Sequence, residues 1–265
     1  EKAGIIKPHV AVVSAAQPKA AAAVIRRECN RQGAALYRVG TEIKLTCVSS
    51  PCGTRRGGQQ SFCIHDRFGS LSGLSVSLIG NHQVMNAAVA VALVRVMIGQ
   101  GAVRLSSSAL RRGLRATVWP GRCEVVSRVP EILLDGAHNQ ASAAALRQTL
   151  LEWFPRRDIL LVIGMSRDKA HADIFRELAP VSRRVIVTQC ANVRAVAADE
   201  LYLRNRSLFS PGQALVTHSV SAALEAAVSL AGEMPRPLIV VTGSLFVVGE
   251  ARERLVRSMD NGKRL

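Results

Sequence analysis

Residues 119–139 read WPGRCEVVSRVPEILLDGAHN, and the fold can be worked outward from them. A Pro-Gly turn carries Arg122, and an apolar run, Ile132-Leu133-Leu134, stops at Asp135-Gly136-Ala137-His138-Asn139. An apolar run bounded by turn formers reads as a short buried strand. In an open α/β sheet, ligands are met just past the carboxyl ends of strands. An acid, a histidine and an amide in that place therefore suggest a polar site. Taken alone, the same residues have a plainer use, because Asp, Gly and Asn make turns and start helices.

Downstream of Cys123 the pattern is regular. Apolar strand candidates at 132–134, 159–164, 185–188, 214–217 and 238–241 alternate with helix candidates at 141–154, 171–178, 198–204, 222–230 and 245–258. Such alternation predicts an α/β fold with a Rossmann-like, mostly parallel, doubly wound sheet. Upstream, a strand at 10–14 is followed by Pro18 and a helix at 19–31. Segments 35–39, 42–48, 61–65 and 74–78 are shorter and carry alternating polar positions, which predicts an antiparallel patch. Residues 49–60, SSPCGTRRGGQQ, read as a mobile loop without the residue order of a phosphate loop. A long apolar helix is predicted at 82–101, a second helix capped by the serines at 106–108, and a linker at 117–120. Residues 258–265 read as a polar tail. Two domains follow, at 1–118 and 119–265.

Composition narrows the function. With 48% hydrophobic and 20% charged residues, the chain is a folding sequence. It holds neither a signal peptide nor a run of about 18 or more apolar residues, so no membrane is expected and a cytoplasmic setting is the default. The net charge of +16 is spread over short arginine pairs, and aromatics make up 4% of the chain. That describes a diffuse field attractive to small anions, with no specific nucleic-acid interface. Six cysteines include no C-x-x-C pair and read as free thiols. Cys47, Cys52, Cys63 and His65 could be drawn as a zinc set, but their spacing matches no common site. The chain opens at Glu1 without an initiator methionine and reads as the remainder of a longer protein.

Blocks spread over nearly the whole chain carry a resemblance: EKAGIIKP at 1–8, GNHQVMNAA at 80–88, PGR then LDGAHN up to 139, GMSRDK at 164–169 and TGSLFVVGEARE at 242–253. In this order they resemble the folylpolyglutamate synthase/dihydrofolate synthase branch of the Mur ligase family. The resemblance implies that 1–118 is the last part of a central ATP-binding domain and 119–265 the Rossmann-like glutamate ligase domain. It implies an ATP- and Mg²⁺-dependent ligase that adds L-glutamate to folates, to dihydropteroate or to both through an acyl phosphate. A monomer is expected. The charge that builds up on the transferring phosphoryl group must be offset by cations.

Residue by residue, Lys2 matches the lysine that the family carries as a carbamate, whose oxygens suit a hard cation. Asn86 matches the asparagine on the adenine side, with His82 and Gln83 shaping its loop. Arg122 matches an arginine that reaches the ATP phosphates, and Asp135 an acid that binds ATP at its ribose hydroxyls, both across an interdomain cleft. His138 matches a histidine near the incoming glutamate or acyl phosphate, there to orient, to donate to the phosphate or to help deprotonate the amine. Ser244, at a helix start, matches a glutamate contact. Asp168, Lys169, Arg194 and the Glu200-Leu201 pair match substrate-side loops. Cys123, Gln140 and Ala170 depart from the family pattern and put substrate binding in question. The family's phosphate loop, its magnesium-binding glutamate and histidine and its pterin loop would all precede Glu1. The chain alone is accordingly expected to be inactive and, with sheet edge and apolar surface uncovered, poorly soluble. Two rival readings are a Mur-type peptidoglycan amino-acid ligase and a non-catalytic truncated remnant or basic binding module.

Overall fold

The computed structural model describes residues 2–49 and 59–260, and the chain divides into two units, Glu1–Val118 and Trp119–Leu265. In the first, a 3₁₀ turn at Lys2–Ile5 leads to strand β1 (Val12–Ser14), helix α1 (Lys19–Gln32) and strand β2 (Leu36–Arg38). A helix between neighbouring strands carries the chain back to where it began, so β2 lies parallel to β1 with Val12 opposite Leu36. The antiparallel patch predicted from segment 35 onward therefore starts one strand later. It consists of β3 (Lys44–Ser49), β4 (Gln60–Asp66) and β5 (Gly69–Val76). Strand β5 begins earlier than its apolar residues suggest, because the turn before it is tied by the Phe68 amide donating to Asp66 Oδ1 at 2.8 Å.

Helices α2 (Asn81–Gly99) and α3 (Ser107–Arg115) complete this unit. Phe62, Ile64, Leu71 and Leu74 of the hairpin bury themselves against Val84, Ala88, Val91 and Ala92 of α2, where the alanines allow close approach. By length and composition α2 could cross a membrane, but these contacts are those of a core helix. One ion pair fixes its far end. Arg95 donates to both carboxylate oxygens of Asp66, at 2.9 and 2.8 Å, and also to the Gly69 carbonyl.

In the second unit the elements are β6 (Glu124–Arg128), β7 (Glu131–Leu134), α4 (Gln140–Trp153), β8 (Asp158–Ile163), α5 (His171–Leu178), β9 (Arg184–Val187), α6 (Ala198–Asn205), β10 (Ala214–Val216), α7 (Val220–Gly232), β11 (Pro237–Thr242) and α8 (Leu245–Asp260). They form a six-stranded sheet in the order β10-β9-β8-β11-β7-β6. All neighbours are parallel except β6, which pairs antiparallel with β7 at the edge. Strand β6 was not anticipated. Its EVVSR sequence is half polar, as an edge strand allows.

Inner strands are buried on both faces, so they read as continuous apolar runs. Ile132, Leu134, Leu160, Val162, Ile239 and Val241 meet α7 and α8 on one side. Leu133, Leu161 and Val240 alternate with them and are equally buried. The helices α4, α5 and α6 pack side by side over that second face. Strand β11 lies between β7 and β8. The carboxyl ends of these parallel strands thus share one edge of the sheet, at a point where connections leave on opposite faces.

Most of the loop expected at 49–60, Cys52 of the drawn zinc set and residues 261–265 of the expected tail lie outside the described residues. Among the described residues, no group of three His, Cys, Asp or Glu could hold a metal ion.

Removing the Asp66 carboxylate strands a nearly buried guanidinium, whose side chain is 12% exposed. Asp66→Ala is expected to cost about 3 kcal/mol in a urea titration. Gly243 has φ +97° and an added Cβ would lie 2.6 Å from the Gly164 carbonyl oxygen. Gly243→Ala should cost at least about 2 kcal/mol, read by the same titration.

Candidate functional site

Strand β7 is held by the sheet up to Asp135, whose amide donates to the Val241 carbonyl at 3.0 Å. The side chain then turns inward and is 6% exposed. A buried carboxylate is costly unless donors surround it, and here they do. Oδ1 accepts from the Ala137 amide at 2.9 Å, while Oδ2 accepts from the Cys123 amide at 3.0 Å and from the Cys123 thiol at 3.3 Å. The Gly136 amide adds a bond to the Gly121 carbonyl at 2.8 Å. The PGR turn and the DGAHN loop are thereby stitched together. A Cβ at Gly136 would lie 2.5 Å from Leu245 Cδ2, so the leucine side chain would have to turn aside.

The third segment joins through Ala137. Its carbonyl accepts from the Gly243 amide at 3.0 Å and the Thr242 hydroxyl at 3.4 Å. Ser244 caps α8: its Oγ accepts from the Phe246 amide at 3.2 Å and its carbonyl from Val248 at 3.0 Å. Helix α4 also starts here, with Asn139 and Ser142 forming a reciprocal capping box. The amino ends of α4 and α8, each with unused amides, thus lie beside the carboxyl ends of β7 and β11.

His138 is half buried, and its Nδ1 lies 2.8 Å from the Gly136 carbonyl. A carbonyl only accepts, so Nδ1 carries the proton and Nε2 of the neutral ring holds a lone pair. Arg122 lies between Gly121 and Cys123 and makes no ion pair among the described residues. Burial above all, and then the charge and hydrogen bond of Asp135, push the Cys123 thiol well above its ordinary range, with Arg122 opposing. The thiol is a donor at neutral pH and not a nucleophile.

Loops after β8 and β9 form a second polar rim. Arg167 donates from its amide to the Arg194 carbonyl at 2.9 Å, and Ser166 bridges Ala195. Asp168 pairs with Lys169 at 2.9 Å and Arg194 at 3.3 Å. The Lys169 hydrogen bond is the main cause holding the Asp168 carboxyl below its usual range. Glu200 instead pairs with Arg204 along α6, and Leu201 is core.

The structure thus brings Arg122, Asp135, His138 and Ser244 into one bonded patch. Lys2 and Asn86 lie on separate elements of the first unit. Lys2 is exposed in the 3₁₀ turn, and Asn86 is exposed on α2 with its Nδ2 donating to Gln83 Oε1 at 3.1 Å.

Residues that the sequence reading passed over help to build the patch. Glu124 accepts from the Gly121 amide at 2.8 Å and from Arg252 Nε at 3.0 Å. In the first unit Gln60, fully buried, donates to the Leu78 and Gly80 carbonyls at 2.8 and 2.9 Å and so fixes the approach to α2. No local pattern announces either, because Arg252 lies far from Glu124 in sequence and Leu78 and Gly80 lie far from Gln60. Cys123 stood out only as a departure.

Residues 121–245 match the Mur ligase, glutamate ligase domain family. Over 270 residues the chain is 32% identical to the dihydrofolate synthase/folylpolyglutamate synthase of Mycobacterium tuberculosis, an alignment covering 95% of this chain and 54% of that protein. Its counterpart in Bacillus subtilis is 28% identical over 260 residues, covering 96% and 57%. Among solved structures, Mycobacterium tuberculosis folylpolyglutamate synthase complexed with ADP superposes with a TM-score of 0.87 at 30% identity, covering 96% of this chain and 57% of that one. The chain spans just over half the length of these relatives.

Asp135→Ala leaves three donors facing an empty acceptor position, and a loss of about 2–4 kcal/mol is expected. Asn139→Ala removes only a helix cap and should cost about 1 kcal/mol. Urea denaturation of the two variants checks the difference, and equal losses would contradict the central place given to the carboxylate.

Proposed function

Because the chain belongs to the folylpolyglutamate/dihydrofolate synthase branch of the Mur ligases, we propose that it serves ATP-dependent addition of L-glutamate to folates, to dihydropteroate or to both. The observation that carries this reading is the patch itself. A cationic fork, a histidine with a free lone pair and a capped helix start are fastened together at the carboxyl ends of β7 and β11.

The chemistry that such a patch suits has two steps. A substrate carboxylate oxygen attacks the γ-phosphorus of ATP, and ADP leaves. The amine of glutamate then attacks the acyl carbon, phosphate departs with the C–O bonding pair, and the amine gives up a proton. Arg122, without an ion pair among the described residues, offers its guanidinium to phosphate oxygens as they gain charge. His138 presents Nε2 as an acceptor, in keeping with orienting or deprotonating the amine. Ser244 Oγ accepts from Phe246, so its own proton is free to donate to a carboxylate beside the α8 amides. The Asn86 amide keeps Oδ1 to accept from an adenine amino group. The Asp135 oxygens are already engaged by protein donors, which favours a role in holding Arg122 and His138 over a direct bond to ribose.

The family also implies Mg²⁺. Lys2 is an exposed lysine in a 3₁₀ turn, and no acidic cluster accompanies it among the described residues. An ammonium repels a cation and only a carbamate there would attract one. The described residues do not make a magnesium site.

The polypeptide encoded by the complete reading frame that contains these residues is expected to incorporate labelled L-glutamate into tetrahydrofolate or dihydropteroate with release of ADP. Failure with both acceptors, while a UDP-muramoyl acceptor is used, would overturn the reading. Arg122→Ala should lower kcat/KM for ATP roughly 10- to 100-fold, the worth of a charge-assisted hydrogen bond.

A further inference from the structure

We propose that the Cys123 thiol and the Asp135 carboxylate form a positioning pair that sets Arg122 and His138 in register for the ligase reaction. The inference rests on the function proposed above and adds to it a residue whose type departs from the family pattern. Its ground is geometric. Asp135 Oδ2 takes two donors from a single residue, the Cys123 amide at 3.0 Å and the Cys123 thiol at 3.3 Å, while Oδ1 takes the Ala137 amide at 2.9 Å. Arg122 immediately precedes one set of donors, and His138 immediately follows the other. The carboxylate therefore acts as a staple whose two prongs end next to the two groups that face substrate.

The local backbone supports this. Cys123 adopts φ 45°, a left-handed conformation uncommon for a residue with a Cβ. Such strain persists only where surrounding bonds impose it, and the bonds here are those to Asp135. At 2% exposure the thiol has no water to turn to. A side chain without a donor would leave Oδ2 with the Cys123 amide alone. A hydroxyl would restore the second donor. Neither Cys123 nor Asp135 exchanges a proton with substrate; they are positioning residues and act through Arg122 and His138.

Two measurements on Cys123→Ala and Cys123→Ser test the pair. Amide hydrogen exchange needs no activity: exchange at Ala137 is expected to quicken about threefold to tenfold in Cys123→Ala, on the scale of one lost hydrogen bond, and to return to the wild-type rate in Cys123→Ser. In the complete protein, the same loss should appear as a threefold to tenfold rise in KM for ATP with a smaller change in kcat for Cys123→Ala, and as near wild-type constants for Cys123→Ser. A Cys123→Ala protein that melts lower but shows unchanged exchange and constants per folded molecule overturns the proposal, as does a serine variant impaired as much as the alanine one. Should the wild-type protein ligate no glutamate, the functional reading fails; the exchange rates then still decide whether the staple exists.

Discussion

A carboxylate taken out of water must be surrounded by donors, and the second unit is arranged so that Asp135 is. Its donors come from the turn ahead of β6 and from the loop after β7, segments that the sheet alone would leave independent. Meeting the demand of one buried charge therefore determines where the PGR turn lies. The turn in turn is held by Glu124, which reaches both the Gly121 amide and Arg252 on α8. The arrangement makes a loop cluster behave as part of the core, which is what a site needs if its groups are to be in place before a ligand arrives.

The sheet provides the setting. Parallel strands bring their carboxyl ends to one edge, and the helices that follow bring their amino ends to the same edge. The loops carrying Asp135, Asp168 and Ser244 are consequently neighbours although more than a hundred residues separate the first from the last. The positive ends of α4 and α8 favour anions there, and Arg122, in the adjoining turn, makes no ion pair among the described residues. Net positive charge elsewhere adds a general attraction but no placement.

Much of this was legible before any coordinates. Strands such as 159–164 and 238–241 are buried on both faces and so announce themselves as apolar runs, and the helix at 171–178 was read to the residue because its polar and apolar positions keep a clear period. What escaped notice had the opposite character. Strand β6 is half polar and only partly buried, as an edge strand allows. The parallel pairing of β2 depends on what α1 does to the direction of the chain and not on the strand's own residues. Cys123 looked like a defect when compared with a pattern, whereas its partner Asp135, 12 residues on, makes it a hydrogen-bond donor. Long-range partnerships such as Glu124 with Arg252 leave no local trace at all.

The order of the strands has a consequence for how the protein comes into being. Strand β11 is made well after β7 and β8 yet lies between them in the sheet. A nascent chain that has produced everything up to α7 would hold β7 and β8 with a gap between them, their inner edges unpaired and sticky. Gly243 and Ser244 arrive with the filler strand, so the anion-facing patch is assembled only after β11 has been made. Until then the emerging polypeptide is a template for unwanted strand pairing.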